Sequence, residues 1–394
     1  MSAGIEDRPF RFGLGEAAGA VADLGIFVPL ATALILVNGL DAGAVLVCAG
    51  VLVIAAGTAF RIPFPVQPLK ALTAIAVARE LSPATINAAG IELGAILLLL
   101  TIGSSGAWLA RWFTRPVIRA LQFGVGILLA IGAFKLIAKP PAVFQGVPSR
   151  SWLLVLAVGA FLGVWAVARA GKASVALGVL LAGIVATVAA ARPDLAPPRL
   201  SFPSFAVPGV AAFTSAFFLL VVPQIPLTFG NAIVAVNDLA HQEFGERGRR
   251  VSVPRVLMLG GIANVVSGLL GGMPMCHGSG GLTAHVRLGA RTAGMNLMLG
   301  GTFLGLGLLF ADQVPTIVGL LPVWILGGFL AYAGVRHALL VKDLHGADLL
   351  LAVAAGAIGA WLGNLAITAA IALVVVHGRG ALSSNRRATD TLGT

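Results

Sequence analysis

Apolar runs of spanning length fill this chain, separated by short stretches of charge, proline or glycine. A transbilayer helix needs about 20 mostly apolar residues. By that measure the first half holds segments at 13–37, 41–60, 63–80, 84–106, 116–138, 151–169 and 173–191. The second half holds 209–238, 254–272, 275–287, 292–311, 315–340, 346–360 and 361–377. The pattern predicts an all-α polytopic membrane protein of about 14 segments. They form two seven-span units, 13–191 and 209–377, joined by a Pro-rich loop at 192–208. Tails at 1–12 and 378–394 complete the chain, the second polar and read as disordered. The first segment lacks the basic n-region of a cleaved signal and is interrupted by Glu16 and Asp23, so it reads as a span.

Composition agrees. The 394 residues are 58% hydrophobic and 10% charged, against about 25% charged in soluble domains. This excludes disorder. The spread of cations gives no nucleic-acid footprint. Two cysteines, Cys48 and Cys276, supply neither a disulfide framework nor a zinc pattern, and no cofactor or resident metal is expected. The net charge of +11 is explained by topology. With both termini cytoplasmic, nineteen Lys and Arg residues fall on the cytoplasmic side and five (Arg79, Lys139, Arg150, Arg192, Arg199) outside. That bias follows the positive-inside rule and fits a multi-pass protein of the plasma or inner membrane. Lys70 and Lys135 are left within spans.

Three weak internal echoes appear near half the chain length. Leu129–Lys135 matches Leu330–Arg336, Pro65 with Leu72-Thr73-Ala74 matches Pro274 with Leu282-Thr283-Ala284, and the Phe27–Leu30 region resembles Gln224–Leu227. Seven spans is an odd number, so a second copy enters the membrane from the opposite side and the repeat is inverted.

Segments 3 and 10 are discontinuous. Phe64-Pro65-Val66-Gln67-Pro68-Leu69-Lys70 and Gly272-Met273-Pro274-Met275-Cys276-His277-Gly278-Ser279-Gly280-Gly281 each predict extended backbone followed by a helix start, because proline interrupts a helix and pushes its predecessor to extended geometry. Irregular backbone at membrane depth survives only when buried in protein or lining a cavity. A helix that starts there aims free N–H groups and partial positive charge into that cavity, which suits an anion. Lys70 belongs to the first turn of one such helix, where it calls for an anion or an acidic partner.

These residues carry a family resemblance. Pro65–Lys70, Pro223-Gln224-Ile225-Pro226-Leu227-Thr228-Phe229-Gly230-Asn231-Ala232, Met273–Gly281, Arg287–Thr292 and Gly19–Gly25 resemble the molybdate transporter family related to the sulfate permeases, over the whole chain. The resemblance implies high-affinity uptake of molybdate, with sulfate recognition also in range. It also implies the inverted seven-plus-seven fold of sulfate and uracil permeases, with segments 1 and 8 lining a site between half-helices 3 and 10. Unlike the sulfate permeases, this chain has only a short segment after Val376 in place of a soluble regulatory domain.

An oxyanion of charge −2 wants N–H, hydroxyl and amide donors with a cation nearby. The candidates are Gln67, Lys70 and Thr73, then Gln224, Thr228 and Asn231, then His277, Ser279 and Gly280. Molybdate and sulfate share shape and charge, so sequence does not separate them. An anion entering against a negative-inside potential needs a cotransported cation, at about 2.3 kcal/mol per charge per 100 mV. Asp23 is the candidate proton carrier, its alternative being a structural pair with Lys70 or a cap on freed backbone. Glu16 and Asp238 read as solvated interfacial acids, and Glu92 has no evident partner. Membrane lipid is the expected surroundings, and a homodimer is compatible with the pattern. The competing readings are a nucleobase or carboxylate permease of the same fold and a Cu(I) carrier using Met273, Met275, Cys276 and His277. No spacing supports a catalytic triad, so an enzyme is not expected.

Overall fold

Inside a bilayer every main-chain polar group must find a partner within the protein, and the fold is arranged around the two places where the helices fail to supply one. The computed structural model describes residues 9–20, 24–102, 112–140, 149–169 and 196–391, with single positions between 142 and 189. Asp23 and most of the predicted seventh segment lie outside the described residues.

Four described helices are long and apolar enough to cross a membrane: Ala42–Phe60, Arg115–Ala138, Val210–Leu227 and Val323–Asp343. Two bent pairs raise this to six. Further helices fall within other predicted segments, among them Leu24–Leu36, Pro83–Leu99, Arg150–Arg169, Val253–Leu269, Gly294–Leu309 and Gly346–Trp361. Segment 8 is one helical run whose turns widen to π geometry at Phe217–Val221 and Thr228–Val234. Pro223 and Pro226 lie between these wide turns; each lacks an N–H, and its ring crowds the carbonyl four residues back. The last helix runs from Leu365 to Thr391, so the disorder expected after residue 377 is corrected. Ala381, Leu382, Arg386, Arg387 and Ala388 favour helix, and a hydropathy boundary marks where apolar surface ends, not where the helix must.

Segments 3 and 10 break as the sequence predicts. Strand β1 (Gln67–Pro68) pairs antiparallel with β2 (Met275–Cys276), Gln67 opposite Cys276 and Pro68 opposite Met275. Helices Lys70–Ala78 and Ser279–Arg287 follow; these are the first and second half-helices below.

Helix packing brackets this pair. Ala42–Phe60 packs on Gly294–Leu309, Pro83–Leu99 on Val253–Leu269, and Arg115–Ala138 on Val323–Ala338. Small residues allow the close approach. A methyl added at Gly50 would lie 2.7 Å from the Gly300 carbonyl oxygen, and one added at Gly94 would lie 2.7 Å from that of Gly261.

Long-range polar contacts join chain ends that the predicted alternation puts on one side. On the cation-rich side, Arg115 and Arg119 bind Asp343, Arg247 donates to the Arg61 and Arg291 carbonyls, and His377 meets the Trp112 carbonyl. On the other, Lys135 donates to the Ala78 carbonyl, Gln313 to that of Ala196, and Asn38 to that of Leu81.

Glu16 departs from its solvated reading. It is 6% exposed, and one oxygen accepts the main-chain N–H groups of Arg291 and Thr292 at 3.0 and 2.9 Å. His285 bonds the Gly19 carbonyl beside it. The first helix is thereby fastened to the far end of the second half-helix.

Buried amides hold the extended backbone. Asn296 accepts from the Phe64 N–H (3.0 Å) and donates to the Phe64 and Val53 carbonyls (2.7 and 3.2 Å). Asn264 holds Met275 from both its N–H and its carbonyl at 2.8 Å. Replacing Asn296 with Leu strands the Phe64 N–H and carbonyl in a dry interior, at about 1–3 kcal/mol for each group. The expected outcome is a clear fall in the Tm of the detergent-solubilised protein.

Candidate functional site

Antiparallel pairing of β1 with β2 aims both half-helix N-termini at one region. In the first turn of a helix the leading N–H groups have no partner within the helix. The N-cap residues here are Leu69 and Gly278, and neither supplies a side-chain cap. The Leu69 N–H instead reaches the Pro274 carbonyl of the opposite break (3.1 Å).

Gln224, arriving from the π-widened helix, accepts the Leu72 N–H at 3.1 Å and donates to the Thr228 hydroxyl oxygen at 3.1 Å. Gln224 therefore caps the first half-helix. The Thr228 oxygen is used as an acceptor, which leaves its own proton to donate elsewhere.

Lys70 is half-buried, and its Nζ donates to Gln67 Oε1 at 2.7 Å. Gln67 is a neutral partner, and among the described residues no carboxylate pairs with Lys70. The ammonium has two further donors and lies beside a helix N-terminus. Thr73, one turn on, is fully buried, and its hydroxyl meets no hydrogen-bond partner among the described residues.

His277 reaches across to the opposite break. Its Nδ1 lies 2.9 Å from the Pro65 carbonyl, an oxygen that can only accept. Nδ1 therefore carries a proton and donates it to that oxygen. With Phe64 packed on the ring (centroids 4.9 Å apart), His277 ties the two breaks together.

Ser279 opens the second half-helix, and its carbonyl accepts from Thr283. Gly280 is exposed although it lies in a broken membrane segment. A methyl built on it meets nothing within 4 Å, so open space adjoins this N-terminus. The Asn231 side chain lies outside the described residues.

The sequence profile of a family described as "Molybdate transporter of MFS superfamily" matches residues 15–129 and 216–336. The chain belongs to this molybdate transporter family.

Among curated relatives, "Molybdate transporter 1" of Arabidopsis thaliana is 32% identical over 374 residues, covering 85% of this chain and 81% of its own. "Molybdate transporter 2" of the same plant is 32% identical over 370 residues, covering 84% and 79%. "Molybdate transporter 1" of Chlamydomonas reinhardtii is 28% identical, covering 83% of each. Among solved structures the transporter resembles the transmembrane domain of the cyanobacterium bicarbonate transporter BicA. The TM-score there is 0.63 at 18% identity, over 90% of this chain and 96% of that one. It also resembles SLC26A9, at TM-score 0.63 and 12% identity, over 92% of this chain and 64% of that one. At these identities the likeness concerns the fold.

The structure thus brings Gln67, Lys70, Thr73, Gln224, Thr228, His277, Ser279 and Gly280 to the paired breaks, with Gln224 and His277 also bonded to the main chain there. Sequence reasoning missed Asn264, Asn296 and Ser267, the last holding the Met273 carbonyl at 2.7 Å. Their signal was available: an amide or hydroxyl within an apolar span needs a partner, and main-chain groups freed at a break need donors and acceptors. Met273, Met275 and Cys276 are buried in the main apolar core. Among the described residues no three His, Cys, Asp or Glu side chains gather as a metal site.

The open space at Gly280 yields a direct check. Gly280→Val leaves fold and Tm near parent values, because the added carbons enter open space. Oxyanion binding, measured by equilibrium dialysis with radiolabelled molybdate, weakens at least tenfold.

Proposed function

We propose that this protein is a secondary active transporter that imports molybdate, with sulfate also in range, and binds the oxyanion between the N-termini of its two half-helices. The observation that carries the proposal is Lys70, a half-buried cation with no carboxylate partner among the described residues, in the first turn of a helix that starts inside the membrane. Each helix N-terminus carries about +0.5 charge. Two of them plus the lysine give about +2, the complement of a divalent oxyanion. Backbone N–H groups at both half-helices, the Thr73 and Thr228 hydroxyls, Ser279, Asn231 and the Lys70 ammonium form the proposed donor set, with Gln67, Gln224, His277 and Gly280 shaping it. The name of the family supports molybdate over other oxyanions.

The proposed architecture is fourteen spans in an inverted seven-plus-seven repeat, with both termini cytoplasmic. The contacts support it, because they are preserved when each segment is exchanged for the one seven places along. Segment 2 packs on 11 as 9 packs on 4, and 5 packs on 13 as 12 packs on 6. The segregation of polar contacts to two sides, one of them rich in cations, supports the orientation. Proton coupling through Asp23 follows from the cost of moving an anion inward against the membrane potential.

Uptake into proteoliposomes with molybdate, tungstate, sulfate and uracil in competition tests the cargo. Saturable molybdate uptake displaced by tungstate and unaffected by uracil is expected, and saturable uracil uptake indifferent to oxyanions would sink the reading. Lys70→Ala removes a charge-assisted contact of about 1.5–3 kcal/mol, so its Kd for molybdate rises roughly ten- to a hundredfold. For coupling, Asp23→Asn flattens the pH dependence of uptake while equilibrium binding persists; an unchanged pH profile rejects Asp23 as the carrier.

A further inference from the structure

The two half-helices end with the same bonds. In the first, the N–H groups of Arg79, Glu80 and Leu81 reach the carbonyls of Ile75, Val77 and Ala76 at 3.0, 3.3 and 3.0 Å. In the second, those of Leu288, Gly289 and Ala290 reach Ala284, Val286 and His285 at 3.0, 3.1 and 3.0 Å. Glu80 and Gly289 both turn the chain in the left-handed region, with φ of 52° and 107°. Each pair of equivalent residues has the same offset as Gln67 and Cys276 in the strand pair. In this ending the last helical carbonyl, of Ala78 in one and Arg287 in the other, faces out of the helix. It carries the negative end of the helix dipole and favours a cation.

At the first half-helix that cation is present. Lys135 on Arg115–Ala138 places Nζ 3.1 Å from the Ala78 carbonyl and 3.7 Å from the Glu80 carboxylate. Lys135 closes the run Leu129–Lys135 that matches Leu330–Arg336, so its counterpart is Arg336 on Val323–Ala338. The two carrier helices pack directly on each other. Arg336 is exposed, and among the described residues it forms no hydrogen bond or ion pair.

We infer that Lys135 and Arg336 are repeat-related gate cations that cap the exit ends of the two half-helices in alternation. In the state seen here Lys135 is engaged on one side of the membrane and Arg336 is released on the other. In the opposite-facing state Arg336 engages the end of the second half-helix and Lys135 is free. Exposed contacts of this kind are weak, which suits a gate: each biases a conformational balance about two- to fivefold without locking it. The inference rests on the repeat relation of the half-helices and not on the identity of the cargo.

The test reads conformation without substrate. A Gly280→Cys reporter, with native Cys48 and Cys276 buried, is labelled by a membrane-impermeant maleimide from either face of sealed vesicles. Lys135→Ala raises labelling from the Lys135 face about two- to fivefold relative to the other face, because it removes a cap present only in the state seen here. Glu80→Gln, which leaves the helix that carries Lys135 untouched, shifts the ratio the same way by less, and Lys135→Arg keeps the parent ratio. Arg336→Ala shifts it in the opposite direction. Movement of Lys135→Ala and Arg336→Ala in the same direction, or an unchanged ratio in both, overturns the inference. Because no oxyanion is added, a failure here is separate from a failure of the molybdate reading.

Discussion

Everything at the centre of this protein depends on two main-chain breaks satisfying each other. Proline at 65, 68 and 274 prevents continuous helices through segments 3 and 10, and a bilayer offers no water to the freed groups. The antiparallel pairing of Gln67–Pro68 with Met275–Cys276 is the local remedy. Its consequence is global, since two helices must then begin at the same depth with their positive ends directed at one region.

The pairing is too short to stand alone. Two residues per strand carry few ladder bonds, so side chains from neighbouring helices complete the job. Asn296 holds Phe64, Asn264 holds Met275, and His277 reaches the Pro65 carbonyl. Gln224 takes one N–H of the first half-helix. These braces come from several helices of the second half of the chain and act on the breaks in both halves, so the site's geometry follows from how the helix bundle packs. The positions left uncapped, at Lys70 and around Gly280, are where charge and open space remain for a ligand. Binding capacity is thus what is left over after structural demands are met.

Much of this was legible in the sequence, and for identifiable reasons. Proline and glycine act locally, so the breaks at 65–69 and 272–278 and the helix starts after them could be placed from residue type alone. The imbalance of cations between the two sides is a property of loops and needs no packing. Lys70 stood out because an intramembrane lysine is costly wherever it is found. Glu16 and the terminal helix were misread because composition reports polarity and not contact. Glu16 is held by two amides contributed by residues 291 and 292, which lie 275 and 276 positions away along the chain.

The sequence by itself determined that this chain lives in a membrane and that two segments break, and it predicted that the cations, Lys70 and Lys135 excepted, fall near span ends. Each is a consequence of side-chain chemistry acting within a few residues. Only the tertiary structure decided which polar groups are spent on holding the breaks and which stay available. It set Gln224 and His277 on the main chain of the breaks, gave Lys70 no carboxylate partner among the described residues, and set Lys135 on a helix end while Arg336 is unpaired among the described residues. Partner choice is a property of distance between remote segments, and a hydrogen bond that works at 3 Å has no counterpart in the spacing of residues along the chain.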